Sequence, residues 1–187
     1  MNLLIAVLYT LTSFFLHGKN TTVPQQTSPV LHNTVIAAKP AIPQRLIIPQ
    51  IQMDTKICEV DLNKENLVDV PLYDVGWYRQ GAKPGHPGNA VLQGHSTNLD
   101  LTPGIFRNLS VLETGDDIYI VDSEGNKHHY RVVEKELVDV MSFSVEKVYG
   151  SSSAYNLNLI TCSGDYDTRT KDYTMRTIIY SRRVEDG

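Results

Sequence analysis

The chain has 187 residues and a formal net charge of −4, from 17 basic and 21 acidic side chains. This length fits one ordinary domain with a short additional segment, and it allows a full hydrophobic core without a disulfide scaffold. The slightly acidic balance argues against a nucleic-acid-binding protein, which needs a basic face.

The N-terminus is an uncharged apolar segment. Residues 3–16 carry no charge, and the run is shorter than the roughly 17–25 residues of a typical membrane-spanning helix. Such a run is typical of a signal-peptide core or a short signal-anchor. Because no small-residue cleavage site follows, we expect residues 1–17 to be an uncleaved anchor with the bulk of the chain outside. Lys19 runs against the positive-inside tendency, and the alternative is a buried helix of a soluble protein.

A proline-rich segment follows. Residues 18–44 are rich in Thr, Gln and Asn and contain Pro24, Pro29, Pro40 and Pro43. Proline interrupts helices and is awkward in central strands, so this composition predicts a semi-extended spacer. A spacer would hold a folded domain, predicted at residues 45–187, away from a bilayer, although a tail without a role fits the composition equally well.

From residue 45 onward the pattern is that of short β-strands. The loop sequence DSEGNKH separates two apolar runs and indicates a hairpin. A turn or two of helix is expected within residues 142–149. Few helices and about eight short strands predict a mainly β protein built as a closed barrel. The strands are predicted at residues 45–53, 55–60, 89–93, 117–121, 129–133, 137–140, 157–161 and 174–181.

The two cysteines have different surroundings. They do not form a C-x-x-C pair, so they indicate neither a zinc site nor a thioredoxin-like redox pair. Cys162 follows an apolar strand and precedes a polar loop, where a thiol can be exposed enough to act as a nucleophile. Cys58 lies inside a predicted strand next to Ile57 and is interpreted as a small core residue. The alternative for Cys162 is a second inert core thiol.

A thiol nucleophile needs a proton partner, and the six histidines are the candidates. His95 is the best placed, because it follows a strand and Gly94, where the backbone can approach a substrate. His128 and His129 are adjacent on a strand and point to opposite faces. The chain has no H-x-x-x-H or H-E-x-x-H spacing, so a metal hydrolase is not predicted. By itself His95 also fits an ordinary loop histidine.

Two arginines could supply a cation for the oxyanion. Arg176 lies near the start of the last predicted strand, one loop beyond Cys162, so the two strands could bring them together. A guanidinium is permanently charged and offers forked donors, so it can bind an oxyanion without entering proton transfer. Arg169, on the loop itself, is the competing candidate, and Arg176 also fits an ordinary exposed strand residue.

These segments resemble the sortases, the cysteine transpeptidases of Gram-positive cell surfaces. The motif LNLITC is preceded by GH and followed by MRTIIY. The segments RLIIPQIQMDTKI, VGWYRQGAKPGHPGNAVLQGH and FRNLSVLETGDDIYIV, the last followed by HHYRVVE, also resemble the family in the same order. The resemblance covers about residues 45–184.

The resemblance implies an eight-stranded sortase β-barrel and a mechanism. Cys162 corresponds to the nucleophile, His95 to the general acid/base, and Arg176 to the group that binds the oxyanion or positions the substrate. Thr161 corresponds to the threonine that supports the oxyanion. The implied reaction cleaves an LPxTG-like sorting signal through a thioacyl intermediate and transfers the surface protein to an amine acceptor, usually a cell-wall precursor. No cofactor, metal or nucleic acid is implied, and the location is the cell membrane, single-pass, with the catalytic domain extracellular.

The resemblance also indicates a subclass. The stretch GWYRQGAKPGHPGNAV is most similar to class F or class E enzymes, with class A as the alternative from ITCSGDYDTRT. No aspartate-proline-aromatic lid motif precedes the barrel, which argues against a pilin-polymerising enzyme. Glu134, Glu136 and Asp139 are too few for the calcium site known in some class A members.

Two competing functions stay open. An L,D-transpeptidase also uses cysteine and histidine on a β fold, but that family expects glycine directly before the cysteine, where this chain has Thr161. A catalytically silent surface-binding barrel is disfavoured by the presence of Cys162, His95 and Arg176 together.

Overall fold

The computed structural model describes residues 41–185, so the predicted anchor and most of the predicted spacer lie outside the described residues. A helix, α1 (Val145–Tyr149), and short 3-10 turns at Pro49–Ile51 and Leu109–Val111 accompany the strands. The strands are β1 (Pro43–Ile48), β2 (Met53–Val60), β3 (Val75–Tyr78), β4 (Gly88–Gln93), β5 (Asp117–Asp122), β6 (Lys127–Asp139), β7 (Tyr155–Asp167) and β8 (Asp172–Arg183). The predicted mainly β, eight-stranded closed barrel is confirmed.

The strand order around the barrel determines which loops meet. The order is β1-β2-β3-β4-β7-β8-β6-β5, and β5 returns to pair with β1. The pairs β2–β3 and β4–β7 are parallel, whereas the other neighbours are antiparallel. Parallel strands run toward the same edge of a sheet, so the residue that follows β4 lies beside the later part of β7.

Several strands differ from their predicted bounds. The runs at 129–133 and 137–140 belong to one 13-residue strand, β6, which pairs with β8 across a register shift between Val132 and Glu134. β3 was not predicted, because Val75, Gly76 and Trp77 are all buried and show no alternation. β1 begins at Pro43, within the predicted spacer, and the first position of a strand tolerates proline. The predicted hairpin and the helix near residue 145 are both present.

The barrel has an inner core and a smaller outer cluster. Alternate residues of a strand face opposite sides, so Leu157 and Leu159 of β7 pack in the inner core whereas Ile160 belongs to the outer cluster. The outer cluster lies beneath α1 and contains Val91, Val148, Ile160, Ile178 and Tyr180. Cys162, two residues beyond Ile160, therefore projects toward the outer side.

The interpretation of Cys58 as a core residue is wrong. Its side chain is only partly buried, and its Sγ lies 3.8 Å from Oδ2 of Asp74. The neighbouring Ile57 is buried and faces the core. Cys58 lies on the opposite face of β2 from Ile57, because adjacent strand residues project to opposite sides.

Substitution at Cys58 is therefore expected to be mild. Cys58→Ala should change the free energy of unfolding by about 0.5 kcal/mol or less, as is usual for sites outside the core. Ile57→Ala, one position away, should cost about 2–5 kcal/mol because it leaves a cavity. Urea unfolding of both variants measures the difference. A larger loss in Cys58→Ala than in Ile57→Ala would contradict the assigned strand orientation.

Candidate active site

The structure brings Cys162 and Arg176 together. The two residues are directly opposite each other on the antiparallel strands β7 and β8, and opposite residues of such a pair project from the same face. Cys162 was predicted to lie at the end of a strand. In the structure it lies inside the 13-residue β7 instead. A bulge between Ser163 and Tyr166, with Gly164 at φ 75°, interrupts the ladder just beyond it. The bulge gives the thiol the partial exposure that a strand end would otherwise provide.

His95 lies on the other side of Cys162. The parallel register of β4 and β7 ends at the pair Gln93 and Ile160, and each chain then runs two residues further, to His95 and Cys162. The Thr161 hydroxyl donates to the Gly94 carbonyl at 2.7 Å, which holds the two segments together beyond the last ladder pair. The site is therefore built from three neighbouring strands, β4, β7 and β8.

The backbone of His95 is fixed by close packing. The Phe106 amide donates to the His95 carbonyl at 2.9 Å. A Cβ at Gly104 would lie 2.2 Å from that same carbonyl oxygen, so only glycine fits there. Gly94 was predicted to admit a substrate. Instead, a Cβ at Gly94 would lie 2.7 Å from Ile105 Cγ2, so the space beside Gly94 is occupied by the Ile105 side chain.

Thr161 occupies a buried position between the inner core and the site. Its side chain is 6% exposed, and its hydroxyl proton is engaged by the Gly94 carbonyl. A hydroxyl has one proton to donate. The contact observed for Thr161 therefore sets the spacing between the segments that carry Cys162 and His95.

Arg176 is held rigidly, whereas Arg169 is not. The Arg176 side chain is 15% exposed, and its Nη2 lies 2.6 Å from Oδ2 of Asp172. Its Nη1 donates to the carbonyls of Tyr173 and Met175, each at 3.0 Å. The Arg169 side chain is 88% exposed and pairs with Asp167. Of the two candidate cations, the structure brings only Arg176 opposite Cys162.

Asp172 is a site residue that the sequence analysis missed. It lies at the start of β8 and forms the ion pair with Arg176. The sequence held one indication of this pair, an acidic residue four positions before an arginine. The stretch was predicted to be a loop, so the pair was not recognised. Once β8 is known to begin at Asp172, the pair becomes part of the strand that faces Cys162.

The electrostatic surroundings keep the thiol protonated. Burial raises the pKa of Cys162 above its ordinary value, the charge of Arg176 opposes this shift, and Asp172 adds to it. A thiol with a raised pKa is mostly protonated at neutral pH, and the thiolate is the nucleophile. Attack by Cys162 therefore needs a proton acceptor, and the segment that carries His95 is the one held next to β7.

An aromatic wall lies next to the arginine. Burial raises the pKa of Tyr149 to about 12, and the positive charge of Arg176 opposes this shift. Gln93 Nε2 donates to the Tyr149 hydroxyl at 2.7 Å. The Tyr149 ring packs edge-on against Tyr78, with ring centroids 5.5 Å apart. The sequence analysis did not single out Tyr149 or Gln93, because their contact depends on how α1 packs on β4.

The ion pair predicts a pH effect. In Asp172→Asn, the contribution that raises the pKa of Cys162 is lost while Arg176 keeps its charge, so the thiolate should form at lower pH. The rate of Cys162 alkylation by iodoacetamide, measured against pH, should show a midpoint shifted downward. Asp167→Asn removes the same charge from the same hairpin, beside Arg169, and should leave the midpoint unchanged. An upward shift in Asp172→Asn would contradict the assigned electrostatics.

His128 and His129 each pair with a carboxylate of β5. His128 pairs with Asp122 at 3.0 Å, and His129 pairs with Asp117 at 2.8 Å, so the two use separate partners on opposite faces, as predicted. Across residues 41–185, no group of three or more His, Cys, Asp or Glu side chains is arranged to hold a metal ion.

Cysteine, histidine and arginine on neighbouring segments of a closed barrel can supply the nucleophile, the base and the oxyanion donor of a thiol-dependent acyl transfer. The family model of the Sortase domain matches residues 46–184. The chain belongs to the sortase family and is, by that membership, a cysteine transpeptidase. No curated protein matches the chain.

Solved structures with the same fold include several sortases. Sortase C1 of GBS Pilus Island 1 is 24% identical, with a TM-score of 0.58, 77% of this chain covered and 66% of that one. Sortase A from Corynebacterium diphtheriae is 23% identical, with a TM-score of 0.59, and 81% and 64% covered. Sortase C-1 from Actinomyces oris is 24% identical, with a TM-score of 0.59, and 80% and 77% covered. At these identities the likeness shows the fold alone, and the class F or class E assignment stays a prediction.

Proposed function

We propose that this protein cleaves an LPxTG-like sorting signal, holds the surface protein as a thioacyl intermediate on Cys162 and transfers it to an amine acceptor. The observation that carries the proposal is the placement of Cys162 opposite Arg176 on β8, in line with the segment that carries His95. The family supports binding of a sorting signal and an amine in general.

The proposed reaction has two balanced steps. His95 accepts the Cys162 proton, the sulfur attacks the scissile carbonyl, and Arg176 binds the oxyanion that forms. The amide C–N bond then breaks, the leaving amine takes the proton from His95, and a thioester is left. In the second step, an acceptor amine attacks the thioester and loses a proton to His95, which returns it to the departing sulfur. Thr161 supports the oxyanion indirectly, by fixing the distance between the nucleophile and the base.

A peptide screen tests this proposal. Purified full-length protein is incubated with peptides that vary the positions of an LPxTG-type motif, and the products are identified by mass spectrometry. The expected result is cleavage within the motif, with an adduct on the peptide that contains Cys162. Cleavage without any adduct, or no cleavage of any motif, would exclude the proposed reaction.

We also propose that residues 1–17 anchor the enzyme in the membrane, with residues 18–44 as spacer and the catalytic domain outside. Sortases are cell-surface enzymes, and the uncharged apolar run supports the anchor. In the part of the chain that the structure describes, no helix is long and apolar enough to cross a membrane.

The anchor predicts a fractionation result. The protein should be found with membranes, and protease treatment of intact cells should release a fragment that begins within residues 18–44. A cytoplasmic marker protein should stay intact in the same cells, which confirms that they are not lysed. Recovery of the full-length chain in the soluble cytoplasmic fraction would be the opposite result.

A further inference from the structure

A cleft of about 750 Å³ opens at the mouth of the barrel beside Cys162. We call it the mouth cleft. It lies between β6, β7, β8 and the connection from β4 to β5, and its lining includes Ser96, Leu101, Arg107, Lys135, Leu137 and Cys162.

The mouth cleft and the Arg176 side of the site approach Cys162 from different directions. Ser163 and Thr177 line the cleft, and their hydroxyls lie 2.6 Å apart. Ser163 and Thr177 occupy strand positions that face the inside of the barrel, whereas Cys162 and Arg176 occupy positions that face the outside. Cys162 lines the cleft but Arg176 does not, so the cleft reaches the thiol from the inner side, away from the proposed oxyanion group. This suits a two-substrate reaction, because a second substrate can approach the thioester through the cleft.

The mouth cleft carries one uncompensated positive charge. Lys135 Nζ lies 2.5 Å from Oε1 of Glu113 and donates to the Ser110 carbonyl at 3.0 Å, so its charge is matched. Arg107 is exposed, and among residues 41–185 no carboxylate forms an ion pair with it. A guanidinium presents a planar fork of donors that matches a carboxylate.

The remaining walls fit a peptide-like molecule. Leu101 and Leu137 are 85% and 63% exposed and line the cleft as apolar side chains. Ser96, next to His95, adds a hydroxyl. A single free cation matches a group with one negative charge, which favours a carboxylate over a doubly charged phosphate.

We propose that the mouth cleft binds the amine acceptor and that Arg107 selects acceptors that carry a free carboxylate. The inference rests on the proposed transpeptidase function and adds the chemical class of the second substrate. The acceptor amine attacks the thioester at Cys162 while its carboxylate pairs with Arg107, which lines the same cleft.

The test compares triglycine with triglycinamide, which differ only in the carboxylate. The enzyme is acylated with the sorting peptide found in the screen, both acceptors are supplied together, and the two transfer products are counted by mass spectrometry. The product ratio is taken within each enzyme, so differences in acylation rate cancel. We expect a preference of up to about fivefold for triglycine, the effect of one solvent-exposed ion pair, and a ratio near one in Arg107→Gln. The control is Arg131, an exposed arginine of β6 that pairs with Asp117 of β5. Arg131→Gln should keep the preference.

The outcomes separate the two proposals. A thioester that forms normally, together with equal use of both acceptors by the native enzyme, overturns the acceptor site and leaves the transpeptidase proposal intact. An undiminished preference in Arg107→Gln does the same. Failure of any peptide to acylate Cys162 overturns both proposals.

Discussion

Cys162→Ala is expected to abolish cleavage of the sorting peptide while the barrel stays folded. The thiol is the proposed nucleophile and lies between Arg176 and the His95 segment, and alanine has no atom that can form the thioester. The side chain is only partly buried and lies beside a bulge, so its loss should cost about 1 kcal/mol or less of stability. Peptide turnover and thermal unfolding by circular dichroism measure the two effects separately.

Cys58→Ala is the matched control. It also removes one thiol, but from β2, where Cys58 lies near Asp74, and it should keep full activity. Unchanged turnover in Cys162→Ala would remove the thiol from the mechanism. Loss of turnover in Cys58→Ala, with the fold retained, would move the nucleophile to the other cysteine.

The barrel could be predicted from the sequence because most strands carry a clear apolar pattern, such as that of β5, where Ile118 and Ile120 point inward. The end of β7 and the start of β8 could not be predicted in this way. The stretch SGDYDTRTKDY is rich in residues that favour loops, yet the two strands extend through it. Tyr166 and Tyr173 are paired across them, with ring centroids 5.4 Å apart. This tertiary pairing overrides the local preference, and the loop that remains spans only residues 168–171.

The site was partly predictable for a related reason. Cys162, His95 and Arg176 could be selected because each is a chemically distinctive residue near a predicted strand boundary. Their supporting contacts depend on register and packing, which local sequence does not encode. Asp172 meets Arg176 only because β8 begins there, and Tyr149 reaches Gln93 only because α1 packs against β4.

Arg176→Lys is expected to lose most activity although the charge is kept. Three hydrogen bonds, to Asp172 and to two backbone carbonyls, hold the guanidinium, which leaves two of its five donors for a substrate oxygen. An ammonium is a point charge with three donors on a flexible stem, and Asp172 would draw it away from Cys162. Loss of an oxyanion donor costs about 10²–10³ in rate. The measurement is kcat/KM on one sorting peptide, after each variant is shown to be folded.

Arg169 provides the comparison for this prediction. It lies on the same hairpin but is 88% exposed and pairs with Asp167, so Arg169→Lys and Arg169→Ala should both retain activity, with at most a change in substrate affinity. The alkylation midpoint of Cys162 should also stay unchanged in the Arg169 variants, because Arg176, not Arg169, influences the pKa of that thiol. A normal Arg176→Lys enzyme alongside an inactive Arg169→Ala enzyme would show that the cation had been assigned to the wrong strand position. The oxyanion would then be bound from the hairpin loop, and the ion pair between Arg176 and Asp172 would serve only to join β8 to its turn.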